Sequence, residues 1–133
     1  QMDKRLSKLD DFYLHKQICH IKDYRFLYNK KSIDGSSKGN IENSKNEKVI
    51  GIAYLMKSET YQKFMAKFEI GYESKILIAN YEDKCFEVKT AISRNITTVL
   101  PKKEYRNILI NGAKQQKLDE EYIEKYLMSK SID

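Results

Sequence analysis

The chain contains a single proline, Pro101, and its hydrophobic pattern changes there. Proline is accepted in the first turn of a helix, where its missing N–H donor costs nothing, so Pro101 reads as the start of a helical C-terminal third. Tyr105, Ile108, Leu109, Gly112 and Ala113 then follow the i, i+3, i+4, i+7, i+8 spacing of a core-facing stripe. Gly112 and Ala113 keep the end of that face flat, which lets the helix approach a sheet closely. Asp119 is placed to cap a last helix in which Tyr122, Ile123, Tyr126 and Leu127 repeat the stripe.

Before Pro101 the dominant period is two. Tyr24, Phe26 and Tyr28 alternate with Arg25 and Leu27 as in a strand with one buried face, and Tyr13–Ile21 predicts an earlier strand. Val49–Leu55 is compact and apolar, the pattern of a buried strand. Tyr72–Ala79 and Cys85–Ser93 predict two more, joined by a hairpin turn over Asn80-Tyr81-Glu82-Asp83-Lys84. Two short helices interrupt this series. Met2, Leu6 and Leu9 have helical spacing, and Ser58 is placed to cap a helix with Glu59 in its first turn and Tyr61, Phe64 and Met65 on one face. Between Lys30 and Asn46 glycine, serine, asparagine and charge gather around Asp34-Gly35-Ser36-Ser37, which predicts a loop or lid.

At 133 residues the chain has the length of one domain, taken as 1–133. A composition of 41% hydrophobic and 33% charged residues is that of a soluble globular protein, and no apolar run approaches the roughly 20 residues of a membrane helix. The opening is charged and lacks a signal-peptide apolar region, so the expected location is cytoplasmic. The net charge of +6 would suit nucleic acid, but the lysines are spread along the chain among acids and no RNA-binding motif frames the aromatics, so no nucleic-acid partner is expected. Cys19 and Cys85 lack metal-binding spacing and are expected to be reduced and buried. His15 and His20, five apart in a strand, project to opposite faces and do not clamp one metal. No catalytic triad and no phosphate-binding glycine motif is present. No metal or cofactor is expected.

What remains is an isolated carboxylate. In Phe68-Glu69-Ile70-Gly71-Tyr72, Glu69 stands between apolar neighbours at a helix-to-strand connection. Partial desolvation there favours the neutral acid and draws the pKa toward neutrality, where one group both takes and gives protons.

Taken together these segments resemble the gamma-glutamylcyclotransferase family over nearly the whole chain. Tyr24-Arg25-Phe26-Leu27-Tyr28-Asn29-Lys30-Lys31-Ser32 with Asp34-Gly35-Ser36 is similar to the family's strand and glycine-rich loop, and Val49-Ile50-Gly51-Ile52-Ala53-Tyr54 to its V-x-G-V-x-Y strand. The most specific match is Pro101 with Tyr105, Asn111-Gly112-Ala113-Lys114, Leu118 and Glu121-Tyr122-Ile123, which is similar to the C-terminal P-x-x-x-Y…GA…L-x-x-x-Y-I pattern. The resemblance implies an α+β fold, a small mixed β-sheet curled toward a barrel with peripheral helices. It implies cleavage of a gamma-glutamyl amide or amine by its own alpha-amine, releasing 5-oxoproline, with Glu69 as general acid and base. Tyr72 and Tyr105 would line the glutamyl pocket, with Gly35, Ser36 and the loop to Gly39 at its mouth. The alternative is a catalytically inactive interaction domain of the same fold.

The resemblance has one gap. Family members open with a first strand carrying Tyr-Gly-Ser-Asn, whose turn offers N–H groups to the substrate, whereas Gln1-Met2 followed by Arg5 resembles the helix just after that motif. The expectation is a missing first strand and an open sheet edge filled by a homodimer contact or an exchanged segment.

Overall fold

The computed structural model describes residues 15–68 and 71–131. The expected helix over Met2–Leu9, the strand start at Tyr13 and the candidate carboxylate Glu69 lie outside the described residues.

Two long strands dominate, β1 (His15–Lys31) and β2 (Ser37–Leu55), paired antiparallel from His15 opposite Leu55 to Lys31 opposite Ser37. They form one continuous hairpin arm, which corrects the expected loop over Lys30–Asn46: the turn is confined to residues 32–36 and everything from Ser37 onward is strand. The polar side chains that suggested a loop find partners across the ribbon instead. Arg25 Nε donates to Glu42 Oε1 at 2.8 Å, and the side-chain amide of buried Asn40 donates to Asn29 Oδ1 at 2.9 Å. The register shifts between Lys22 and Tyr24, where Asp23 has φ 63° and the facing Asn46 has φ 68°. Asn46 N–H donates to Asp23 Oδ1 at 3.0 Å, which fixes a bulge that strengthens the twist of the arm.

Helix α1 (Ser58–Phe68) follows, with Lys57 rather than Ser58 supplying the first accepting carbonyl, to Tyr61 N–H at 3.0 Å. Phe64, on the apolar face read from the sequence, is buried. Strands β3 (Glu73–Tyr81) and β4 (Lys84–Ile92) make the expected hairpin, with Tyr81 opposite Lys84 and Glu82 in the left-handed region at φ 54°. The strand order is β2-β1-β3-β4 and every pair is antiparallel; parallel pairing is limited to a bridge between Ser37 and Pro101. β1 and β3 are joined through His20 opposite Asn80. The two edge strands are also drawn toward each other: Asn40 of β2 accepts from Ser93 N–H at 3.0 Å and donates to the Ser93 carbonyl at 2.9 Å, just beyond β4. That link curls the sheet toward a barrel. The observed architecture is therefore α+β, with peripheral helices.

Pro101 is buried in its bridge to Ser37 and precedes the next helix, α2 (Lys103–Gln115), with Lys102 as its cap. Of the expected stripe, Ala113 is buried and Tyr105, Leu109 and Gly112 are half-buried, whereas Ile108 is 43% exposed and Ile110 is buried in its place. Helix α2 ends in paired bonds, Leu118 N–H to the Ala113 carbonyl and Lys117 N–H to the Lys114 carbonyl, with Lys117 at φ 60° where glycine is usual. A short turn of helix, α3 (Glu120–Tyr122), continues into a π-helical turn over Ile123–Leu127. Ile110, Ala113, Ile123 and Leu127 form a core cluster against which Phe26 and Leu118 pack. Burying a side chain the size of Ile123 contributes about 1.5–3 kcal/mol. Cys19 is buried as expected, but Cys85 is exposed; both are free thiols. Cys85 sits on an edge strand, where its side chain has no layer above it.

Tyr122 is held against β2, and burial pushes its hydroxyl up to about 12, a backbone hydrogen bond with Ile50 opposing the shift only in part. Burial likewise raises Tyr28, whose hydroxyl donates to the Leu127 carbonyl at 2.9 Å. A raised folded-state pKa means that stability is fully present below the ordinary tyrosine value of about 10 and is lost as pH rises through the folded value. The urea midpoint is expected to hold at neutral pH and fall between about pH 10 and 12. Tyr122→Phe should flatten that fall, and an unchanged alkaline limb in the variant would show that Tyr122 is not its source.

Candidate active site

The concave side of the curled sheet, closed over by α1, α2 and the C-terminal turn, encloses a cleft of about 1640 Å³. That exceeds the roughly 300–1,000 Å³ of a small-molecule pocket, so a ligand would occupy one part of it. The part with convergent polar groups is around Gly39.

Gly39 lies two residues past the start of β2, where Tyr28 opposes it across the ribbon. Its main chain is held from both sides by the two tyrosines singled out in the sequence. Tyr72, just ahead of β3, donates its hydroxyl to the Gly39 carbonyl at 2.5 Å, while Tyr105, in the first turn of α2, accepts from Gly39 N–H at 2.9 Å. The approach is close enough to demand glycine. A Cβ at position 39 would stand 2.9 Å and 3.0 Å from the Phe26 ring and 3.3 Å from the Tyr105 hydroxyl. Behind Tyr105 the aromatics continue edge to face, Tyr28 at 6.2 Å and then Phe26 at 5.0 Å, so the ring of Tyr105 rests on a rigid wall.

Two lysines approach the same place. Lys30 Nζ lies 5.2 Å from the centre of the Tyr72 ring and Lys38 Nζ 4.3 Å from that of Tyr105, both within the range of cation–π attraction. Gly71, at φ 85°, lets the chain turn into Tyr72 beneath Lys30; a Cβ there would meet Lys30 Nζ at 2.9 Å.

Of the other sequence-selected residues, Gly35 and Ser36 build the tight turn between β1 and β2. Gly35 takes φ 85°. Ser36 is buried, and its N–H and hydroxyl both go to Asp34 Oδ1, at 2.9 Å and 2.6 Å. The Ser36 hydroxyl and N–H, with Lys102 Nζ 3.2 Å from the other carboxylate oxygen, hold Asp34 well below the usual carboxylate range. Ser32, Ile33, Lys38 and Gly39 from this hairpin line the cleft. The structure thus brings Tyr72 and Tyr105 together at Gly39 and puts Gly35 and Ser36 into the turn that carries Gly39 there.

Lys30 and Lys38 were not singled out in the sequence, although a signal was present: they are equidistant from Asp34, so a hairpin centred on Asp34 opposes them. Among the described residues no group of three or more His, Cys, Asp or Glu side chains could hold a metal ion, and no helix is long and apolar enough to cross a membrane.

No family model matches the sequence, and no curated protein matches it. Solved structures do match. A human protein described as uncharacterised superimposes with a TM-score of 0.77 at 18% identity, over 87% of this chain and 74% of that one. A gamma-glutamyl cyclotransferase superimposes with a TM-score of 0.78 at 18% identity, over 93% of this chain and 78% of that one. Identity this low carries the fold alone: the chain has the gamma-glutamyl cyclotransferase-like fold.

Proposed function

We propose that the protein cleaves a gamma-glutamyl amide or amine by internal cyclisation. The observation that carries this reading is the meeting of Tyr72 and Tyr105 at Gly39 inside the cleft of this fold. The substrate's alpha-amino nitrogen attacks its own gamma-carbonyl carbon, a ring C–N bond forms, and the amide C–N bond to the departing amine breaks. The attacking ammonium loses two protons in becoming the ring N–H, one before the attack and one after it, and the departing nitrogen gains two and leaves as an ammonium. A single carboxylate serves both kinds of transfer, and Glu69, three residues before Tyr72, is assigned that role. Internal attack depends on orientation more than on a protein nucleophile, so rigid tyrosine walls that fix the glutamyl chain supply much of what is needed.

A second reading, a non-catalytic interaction domain of the same fold, is favoured by one detail: each tyrosine hydroxyl holds the Gly39 main chain, a contact that needs no substrate. Incubation with gamma-glutamyl dipeptides and chromatographic detection of 5-oxoproline decides between them. Release of 5-oxoproline is expected; its absence across a panel of gamma-glutamyl amides would favour the interaction domain.

A further inference from the structure

Lys30 and Lys38 are direct cross-strand partners in the β1–β2 arm. Directly opposed residues leave the ribbon on the same face with Cβ atoms about 4.5–5.5 Å apart, and like charges so placed repel. Most lysines avoid such a conflict by reaching into water. These two do not: of the lysines in the described residues, only Lys30 and Lys38 are half-buried, and every other one is exposed. Both line the cleft, and each lies over one of the two tyrosines that clamp Gly39. Among the described residues neither forms an ion pair, whereas Arg25, Arg94 and Lys102 do. Among the described residues, the ionised side chains lining the cleft are four lysines, Lys30, Lys31, Lys38 and Lys89, against one acid, Glu87. Counting Glu69 in its proposed role still leaves positive charge in excess.

We infer that the Lys30–Lys38 pair is a carboxylate-binding subsite. A carboxylate has two oxygens and accepts from two ammonium groups at once, so its arrival relieves the repulsion built into the strand pair while making two charge-assisted hydrogen bonds. The inference rests on the proposed cyclisation for the nature of the ligand. A gamma-glutamyl group carries one carboxylate and one ammonium and is close to neutral. The excess positive charge of the cleft is matched when the departing amine brings a carboxylate of its own, as an amino acid or peptide does. A departing polyamine would bring further positive charge to a wall already positive, and is selected against.

The test uses the full chain carrying Glu69→Gln, which removes the proposed acid and base and keeps ligands intact. Calorimetric titration with gamma-glutamylalanine and with gamma-glutamylalaninamide compares two ligands that differ in one carboxylate. The acid is expected to bind about 10–100-fold more tightly at low salt, the range of charge-assisted hydrogen bonds, and the margin should narrow as salt screens it. Adding Lys30→Gln and Lys38→Gln should reduce the difference to about threefold or less. Thermal unfolding of these variants checks that they fold, since each substitution removes a share of the repulsion and also a cation–π contact with a tyrosine.

Equal affinity for the two ligands, binding of neither, or a preference that survives both lysine substitutions would overturn the subsite. Turnover by the unsubstituted protein is measured alongside. If it releases no 5-oxoproline while the lysine-dependent preference stands, the reaction fails and the subsite holds; if it turns over both ligands equally, the subsite fails and the reaction holds.

Discussion

Glu69→Gln is expected to lower the rate of 5-oxoproline release by about 10²–10⁴-fold, the usual contribution of a positioned general acid or base. The amide nearly matches the carboxylate in size, so KM should move little while kcat falls. In the unsubstituted protein kcat should rise with pH through the carboxylate's own titration as the free base forms. That limb should vanish in the variant. The readout is continuous chromatography of 5-oxoproline from a gamma-glutamyl dipeptide across pH. A variant that keeps more than about a tenth of the rate would remove Glu69 from the chemistry, since one lost proton transfer costs more than that. The tyrosines give a graded companion series, because they are assigned to orientation rather than proton transfer.

Gly39→Ala is expected to destabilise the fold by about 1–3 kcal/mol, the cost of forcing extra volume into packed surroundings. The added Cβ meets ring atoms of Phe26 at 2.9 Å and 3.0 Å and the Tyr105 hydroxyl at 3.3 Å. Phe26 packs against the helical core cluster behind it and is not free to retreat. Whatever gives way also loosens one of the two hydrogen bonds to Gly39. Urea unfolding of Gly39→Ala beside Gly51→Ala makes the comparison clean, because a Cβ at Gly51 meets nothing within 4 Å in the same strand. The Gly51 variant should stay within about 0.5 kcal/mol of the parent. Equal stability of the two variants would mean that the contact at Gly39 is looser than drawn.

The sequence was a good guide where a local rule decides the outcome. The hairpin over Tyr72–Ser93 was legible because alternation and turn chemistry are both local, and the apolar face of the last helix was legible because Tyr122, Ile123 and Leu127 repeat at helical spacing. The arm of β1 and β2 was misread in part because Asn40, Glu42 and Asn43 look like loop residues; Asn40 is buried only because Asn29 and Ser93 satisfy it from elsewhere in the chain. On α2 Ile110 rather than Ile108 is buried because it meets Ile123 and Leu127 of the C-terminal turn, a tertiary contact that helical spacing alone does not reveal. At the site, Tyr72 and Tyr105 could be picked out one at a time, but their meeting at Gly39 depends on three separate segments and belongs to the tertiary structure. The lysine pair was hidden for a related reason. In a chain with 25 basic residues, the equal spacing of two lysines from Asp34 gains meaning only when strand register sets them face to face.

The two hydrogen bonds on Gly39 span 33 and 66 residues, whereas the β3–β4 hairpin closes over two. Closing a chain loop costs entropy that grows with its length, so local pairs form at a smaller loss and distant ones wait for a framework that shortens the effective separation. The tyrosine clamp is thus among the last contacts that folding completes. Substitutions at Tyr72 and Tyr105 should speed unfolding and leave the folding rate almost untouched, with Φ-values near zero, and values near one would place the clamp in the nucleus instead. During synthesis and folding, then, a chain can hold most of its sheet while the two tyrosines of its cleft have yet to meet.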